Sequence, residues 1–383
     1  MDLSHIFNSK KIFSKSFCAV LFSFLSFSAF SQEHAEADTA HASGTEAHTS
    51  APEKDEDISK VILHHIADSH EWHFFGDVAL PLPVILWTDN GLVTFLSNKF
   101  GHNDHGTEIF EAKGTSLVNY HGKFYNPNEV KSEDGTYIAH DKTGAVINRK
   151  PLDISITKNV VSLLISVTIL LIVFIGIAKT YKKREGKAPK GLQSILEPII
   201  LFVRDDIAKP QLGHRYKGFM PYLLTVFFFV WLNNLLGLVP FFPGGANLTG
   251  NIAVTMMLAL CTFVLTTVNG NKNYWGHILR PHVPWWLYPL MIPVEIIGVF
   301  VKPIALMIRL FANITAGHIL ILSLVSMIFI LKSVLVAGVA VPFVVFITVI
   351  ELVVGFIQAF IFTILSALFI GMAIAEHTEH AKH

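Results

Sequence analysis

The sequence predicts an all-α polytopic membrane protein of about five membrane helices, ending in a long tilted hairpin. A small, mostly β extramembrane module precedes the helices. Three observations carry this expectation. Hydrophobic residues make up 52% of the 383 residues and charged ones only 15%, too apolar for an ordinary soluble domain. From residue 156 onward, apolar stretches of spanning length follow one another. Residues 58–155 carry strand and turn signals instead.

The N-terminus reads as a secretory signal over 1–31: Lys10, Lys11 and Lys15, the short apolar core "FCAVLFSFLSF", then "AFS" before Gln32. The mature chain would then begin on the far side of a bacterial inner membrane. Residues 32–57 hold eight Asp or Glu against one Lys, a low-complexity, His-bearing segment that cannot bury enough apolar surface to fold alone. "ISKVILHHIADSHEWHFF" (58–75) has helical periodicity. "LPVILWT", "DNG" and "LVTFLS" then spell strand, turn, strand, and "EDGTY" and "DKTGAV" mark further turns before 155. The imidazoles of "HHIADSHEWH" lack a defined ligand constellation and read as a solvated, pH-responsive face rather than a metal site. Cys18 and Cys261 lie in the leader and in a span, so no disulfide framework exists. No nucleotide loop, metalloprotease helix or serine elbow occurs, and no cofactor is called for.

The membrane part starts near Ile156. Its first span ends at "KTYKKREGKAPK" (179–190), six Lys or Arg against one Glu, which the positive-inside rule places in the cytoplasm. Residues 191–209 alternate Ile195, Ile199, Ile200 and Phe202 with Glu197, Arg204 and Asp205, the pattern of an interfacial amphipathic helix. Residues 219–239 cross outward, "FFPGGANLTGN" is a charge-free external loop, and 252–269 return to a loop holding Lys272 and Arg280. The stretch from Lys302 to Lys332 would extend about 45 Å as a helix and 333–375 about 65 Å, whereas the hydrocarbon layer is about 30 Å thick. A steeply inclined hairpin fits, with Gly338 and Pro342 able to break its second arm.

Few polar residues interrupt this hairpin. Arg309 is the only permanently charged side chain between Lys302 and Lys332, and its guanidinium cannot shed its proton. It must pair with a carboxylate such as Glu351, or face a partner or an aqueous cavity. Asn313, four residues on, shares its face; His318, nine residues on, lies on the opposite side with Thr315. Thr348, Glu351, Gly355 and Gln358 form one stripe on the second arm, and Glu295 lies seven residues before Lys302. Taken singly, Asn313 and Gln358 suit interhelical hydrogen bonding and His318 could satisfy a neighbour. Together with a fixed positive charge they describe two proton paths, because His and Glu titrate and Arg does not. The carboxylate that moves between them would come from a partner. A secondary transporter would show repeated halves, and an intramembrane metallohydrolase a His-Glu-x-x-His helix; neither is present.

"KPIALMIRLFANITAGHI" followed by "ELVVGFIQAFIFTILSALFIGMA" closely resembles subunit a of the F-type ATP synthase membrane sector. The likeness reaches back through "FFVWLNNLLGLVP" and "LQSILEPIILFV" to cover 156–376, leaving a short tail, 377–383. The resemblance implies a non-catalytic, multi-pass stator subunit of the bacterial inner membrane, with a periplasmic N-terminus and a cytoplasmic C-terminus. Its partners would be the c-ring, b-type peripheral stalk subunits, the rest of the complex and membrane lipid, without nucleic acid. Arg309 would face the c-subunit carboxylate, with Asn313 and Gln358 beside it. His318 and Glu351 would line the outer half-channel, and Glu295 the cytoplasmic one. Many bacterial relatives carry an acid at the first of these outer positions and His at the second, so the pair is exchanged here. Asn251 stands at the outer mouth, where relatives often have Asp.

Overall fold

The computed structural model describes residues 68–375 apart from short segments at 76–77, 101–102, 104, 129, 133–134, 142–145, 184–186, 240–244, 246, 281–282 and 332. The expected signal peptide, the acidic stretch, the imidazoles His64 and His65, and the C-terminal tail lie outside the described residues. The chain divides into two compact units. One ends at Ile165; the other takes in Ser166–Leu238 and the helices from Asn247 onward.

The first unit is built on strands β1 (Glu71–Phe75), β2 (Val78–Pro81), β3 (Pro83–Thr88), β4 (Gly91–Leu96), β5 (His105–Ala112), β6 (Thr115–Tyr120), β7 (Lys123–Tyr125) and β8 (Leu152–Asp153). They form three antiparallel sheets, β1-β2, β4-β3-β8 and β5-β6-β7. The "DNG" signal is the turn between β3 and β4: Thr88 pairs with Gly91, whose φ of 103° only glycine adopts without strain. Alternation along β3 and β4 sends Val84, Leu86, Val93 and Phe95 inward, where they meet Leu117 and Phe124 in a dry core. The helical periodicity read over 58–75 does not survive at its end. Glu71–Phe75 is a strand paired with Val78–Pro81, because the aromatic-rich "EWHFF" gains more from a cross-strand partner than from an isolated turn. Residues 58–67 lie outside the described residues.

Helix α1 (Lys158–Lys183) leaves this unit through a polar joint. Asp68, ninety-one residues away in sequence, caps it: Oδ1 accepts from the Asn159 amide at 3.1 Å and Oδ2 from the Thr157 hydroxyl at 2.7 Å. The Lys158 amide donates to the Ser69 carbonyl at 2.9 Å. Two orphan amides of the first turn are thereby satisfied by a distant strand segment. Beside the cap, His70 Nε2 and Asp153 Oδ2 lie 3.0 Å apart. Burial pushes the Asp153 carboxyl up, but the bond and charge of His70 and two bonds from Ser155 outweigh it and hold the group below its ordinary 3.8. Its stabilising contribution is therefore present above 3.8 and lost as the pH falls through the lower folded value. Asp68 acts in the opposite sense, because burial holds its carboxyl above 3.8 despite the bonds from Thr157 and Asn159. At neutral pH we expect Asp153→Ala to cost about 1.5–3 kcal/mol. Hydrogen exchange in the assembled protein should show faster opening of the β3–β8 amides.

The second unit is helical. α2 (Leu192–Phe202) runs through a π-helical turn, Val203–Ala208, into Lys209–Leu212, and is followed by α3 (Tyr216–Leu238). Leu192 and Ile195 are exposed, as an interfacial helix requires. Arg204 does not share the polar face read from sequence: it is buried, and its Nε and Nη2 donate to both carboxylate oxygens of Asp205 at 2.9 and 2.7 Å. α4 (Ile252–Val268) and α5 (Lys272–Leu279) are bent 100° apart at Asn269–Gly270–Asn271. The hairpin is α6 (Tyr288–Leu331) and α7 (Val334–Ile374). At about 1.5 Å per residue each arm exceeds 60 Å, twice the hydrocarbon thickness, so both must lie steeply inclined. α7 passes through Gly338 and Pro342 as one helix, since a single missing amide donor costs it one hydrogen bond and does not end the helix. Among the described residues, four helical stretches are long and apolar enough to cross a membrane, or five with the bent α4–α5 pair.

The packing of α7 follows a small-residue rule. Gly355, Ala359, Thr363, Ala367 and Gly371 recur every fourth residue and are all buried. Such a groove lets helices approach closely where lipid supplies no hydrophobic drive. A Cβ at 355 would press on Asn234 Cβ at 3.1 Å, and one at 371 would collide with the Gln211 carbonyl oxygen.

Candidate functional site

The polar residues of the hairpin separate into an outer face and an inner seam. Arg309 is exposed on α6, with Leu306 and Leu310 beside it turned inward and buried. Among the described residues it has no ion-pair partner; of the two options its charge leaves open, the structure shows no pair with Glu351. Asn313 and His318 are half-buried. Gln358 is buried and shares its stripe with Gly355, not the exposure of Arg309.

Glu351 turns to the seam. Its Oε1 stands over Gly317, in the space a Cβ at that position would need, so the carboxylate rests on the backbone of α6 next to His318. Its Oε2 is buried without a hydrogen-bond partner among the described residues. The carboxylate of α7 therefore meets α6 at the residue before His318. The glycine that permits this closeness was missed. Its signal was available: a lone Gly inside a helical pattern costs about 1 kcal/mol and marks a close approach.

Around this crossing α3 and α4 supply a polar scaffold. Asn234 Nδ2 donates to the Gly355 carbonyl at 3.0 Å, and the Thr249 hydroxyl donates to Asn234 Oδ1 at 2.8 Å. Thr315 reaches the Gly250 carbonyl at 3.5 Å. Asn251, expected at the outer mouth, caps α4 by accepting from the Ala253 amide at 3.0 Å. Toward the other end, Tyr222 and Thr262 hydroxyls lie 2.7 Å apart and Thr262 and Ser366 3.1 Å apart. A small cavity there is lined by Thr262, Thr266, Tyr274, Lys302 and Phe369. Lys302 Nζ sits 5.7 Å from the Phe369 ring centre. Glu295 is half-buried and near enough to Tyr274 to act on it electrostatically. Asn234 and Thr262 were not singled out from sequence, although polar residues in apolar spans are the usual interhelical bonds.

Arg309 thus divides the polar groups along α6. His318 lies about 13 Å beyond it on one side, Lys302 and Glu295 about 10 and 21 Å before it on the other.

Comparison with known proteins identifies the family. A family model described as ATP synthase A chain matches residues 160–371. A second, described as a domain of unknown function (DUF8433), matches residues 61–154, the strand module. The chain is 53% identical over 239 residues to ATP synthase subunit a of Chlorobium phaeobacteroides, covering 60% of this chain and 68% of that one. It is 47% identical over 233 residues to the subunit a of Chloroherpeton thalassium, covering 60% and 69%. The Myxococcus xanthus subunit a is 45% identical over 240 residues, covering 61% and 77%. The matched span begins at the start of α1 and ends within the last turn of α7, so it takes in every helix described above, and the chain belongs to the ATP synthase A chain family.

Proposed function

We propose that the chain is the stator subunit of the ATP synthase proton channel and does no bond chemistry itself. The observation that carries this reading is the arrangement along α6: Arg309 is exposed, and eight residues on the Glu351 carboxylate meets the Gly317 backbone beside His318. A proton enters from the periplasm through His318 and Glu351 and loads a c-subunit carboxylate. It rides the ring and leaves past Glu295 to the cytoplasm. Arg309 holds the unloaded carboxylate ionised and repels protons that would pass directly between the two paths. Asn313 shares its face and Gln358 steadies the seam behind it. The module before α1 stands in the periplasm of a bacterial inner membrane, b-type subunits hold the stator, and the torque drives ATP synthesis in a separate head. Isolation of the native complex tests the assignment: a small two-helix, carboxylate-bearing ring subunit should co-purify, and its absence would refute the reading.

The seam makes a sharper prediction. Gly317→Ala leaves the charges untouched but places a methyl where Glu351 Oε1 now rests. The carboxylate must swing away, so proton conduction through reconstituted membrane sectors should fall severalfold while the subunits still assemble. Wild-type conduction in Gly317→Ala would remove Glu351 from the path.

A further inference from the structure

The sheet β4-β3-β8 is apolar on both sides. An antiparallel sheet that buries one face normally turns polar residues to the other, yet the outward positions here do not follow that rule. Their cross-strand register sets them in three rows. The first joins Leu92, Trp87 and Leu152, which are 46%, 59% and 51% exposed. In the second, Thr94 and Ile154 flank Ile85, whose carbonyl accepts from the Ile154 amide at 2.9 Å. The third joins Leu96 to Pro83, whose carbonyl accepts from the Ile156 amide at 3.2 Å. Thr94 is the one polar residue in these rows.

We infer that this face is a membrane-seated pad, and that its occupant is the lipid of the leaflet in which α1 begins. Continuity is the first argument. The third row ends at Ile156, bonded to Pro83 and two residues before Lys158 opens a spanning helix. The cap from Asp68, the Ser69–Lys158 bond and the His70–Asp153 contact tie β8 and the segment before β1 to that first turn. Charge is the second argument. The far row is bordered by cations: Lys113 Nζ donates to the Leu92 carbonyl at 3.3 Å, and Arg149, 72% exposed, pairs with Asp89 in the turn between β3 and β4. An apolar surface bearing an exposed Trp and rimmed by Lys and Arg is the chemistry of the headgroup–acyl boundary, where indole rings settle and long cations reach phosphate. An exposed patch of this kind is otherwise a liability for a protein in water.

The test uses the assembled complex in vesicles of phosphatidylethanolamine and phosphatidylglycerol. Single cysteines replace Trp87, Leu92 or Leu152, with Cys18→Ser and Cys261→Ser to clear the background and an environment-sensitive fluorophore on each. These side chains lie outside the core, so substitution leaves the fold in place; Lys99→Cys, on the opposite side of the turn after β4, is the aqueous control. The pad requires that acyl-brominated lipids quench most of the emission at 87, 92 and 152 and that aqueous iodide quench it little, with the reverse at 99. Strong iodide quenching at the pad positions would overturn the proposal, because the face would be open to water. Protection from both quenchers would overturn it equally, because a protein surface would then cover the face.

Discussion

Arg309→Ala in the assembled complex is expected to abolish proton-driven ATP synthesis and to let protons leak passively across the membrane. The argument is electrostatic. A permanently charged group in a spanning helix costs from about 3 to more than 10 kcal/mol unless something compensates it. Among the described residues no carboxylate does, and the side chain is exposed on the outer face of α6. In the proposed function a carboxylate passing on the c-ring compensates it. The same charge stands between His318 and Glu295 along α6, and Glu351 of α7 meets α6 on the His318 side. Alanine removes both the partner that keeps the incoming carboxylate ionised and the barrier between the two paths. Two readouts check this: ATP synthesis after an imposed pH jump, and decay of a pH gradient without ATP. Retained coupled synthesis in Arg309→Ala would sink the mechanism.

Much of this arrangement was legible in the sequence because membranes enforce simple rules. Spans must be apolar and about 20 residues long, so α1, α3 and α4 were found within a few residues, and the excess length of α6 and α7 announced the inclined hairpin. Intramembrane charges are too costly to be incidental, which singled out Arg309, Glu351 and Glu295. What periodicity could not supply was the packing. Gly317 and Gly355 matter for what stands over them, the carboxylate of Glu351 and the side chain of Asn234. A glycine in a sequence does not name its neighbour. The cap on α1 was equally invisible, because Asp68 is brought to Asn159 only by the fold of the strand module between them. Arg204 looked like one more polar-face residue until Asp205 was seen to neutralise it within the bundle. The strand Glu71–Phe75 was hidden by the helical periodicity read across 58–75, and only the partner strand decides the matter.

The exchange of acid and imidazole offers the second large effect. His318→Glu alone sets a second carboxyl beside the residue that Glu351 meets and leaves no imidazole at the crossing. Glu351→His alone leaves two imidazoles and no acid at the crossing. Either single change should therefore lose most coupled proton transport. The double variant, His318→Glu with Glu351→His, restores one group of each kind across the same seam. Position 351 faces a glycine, and the imidazole needs only the room the carboxylate vacates. Coupled transport in the double variant should exceed that of both single variants, measured as ATP-driven acidification of inverted vesicles with matched amounts of assembled complex. A double variant no better than the worse single would mean that the two positions do not act as one relay. The outer path would then have to run through one of them alone.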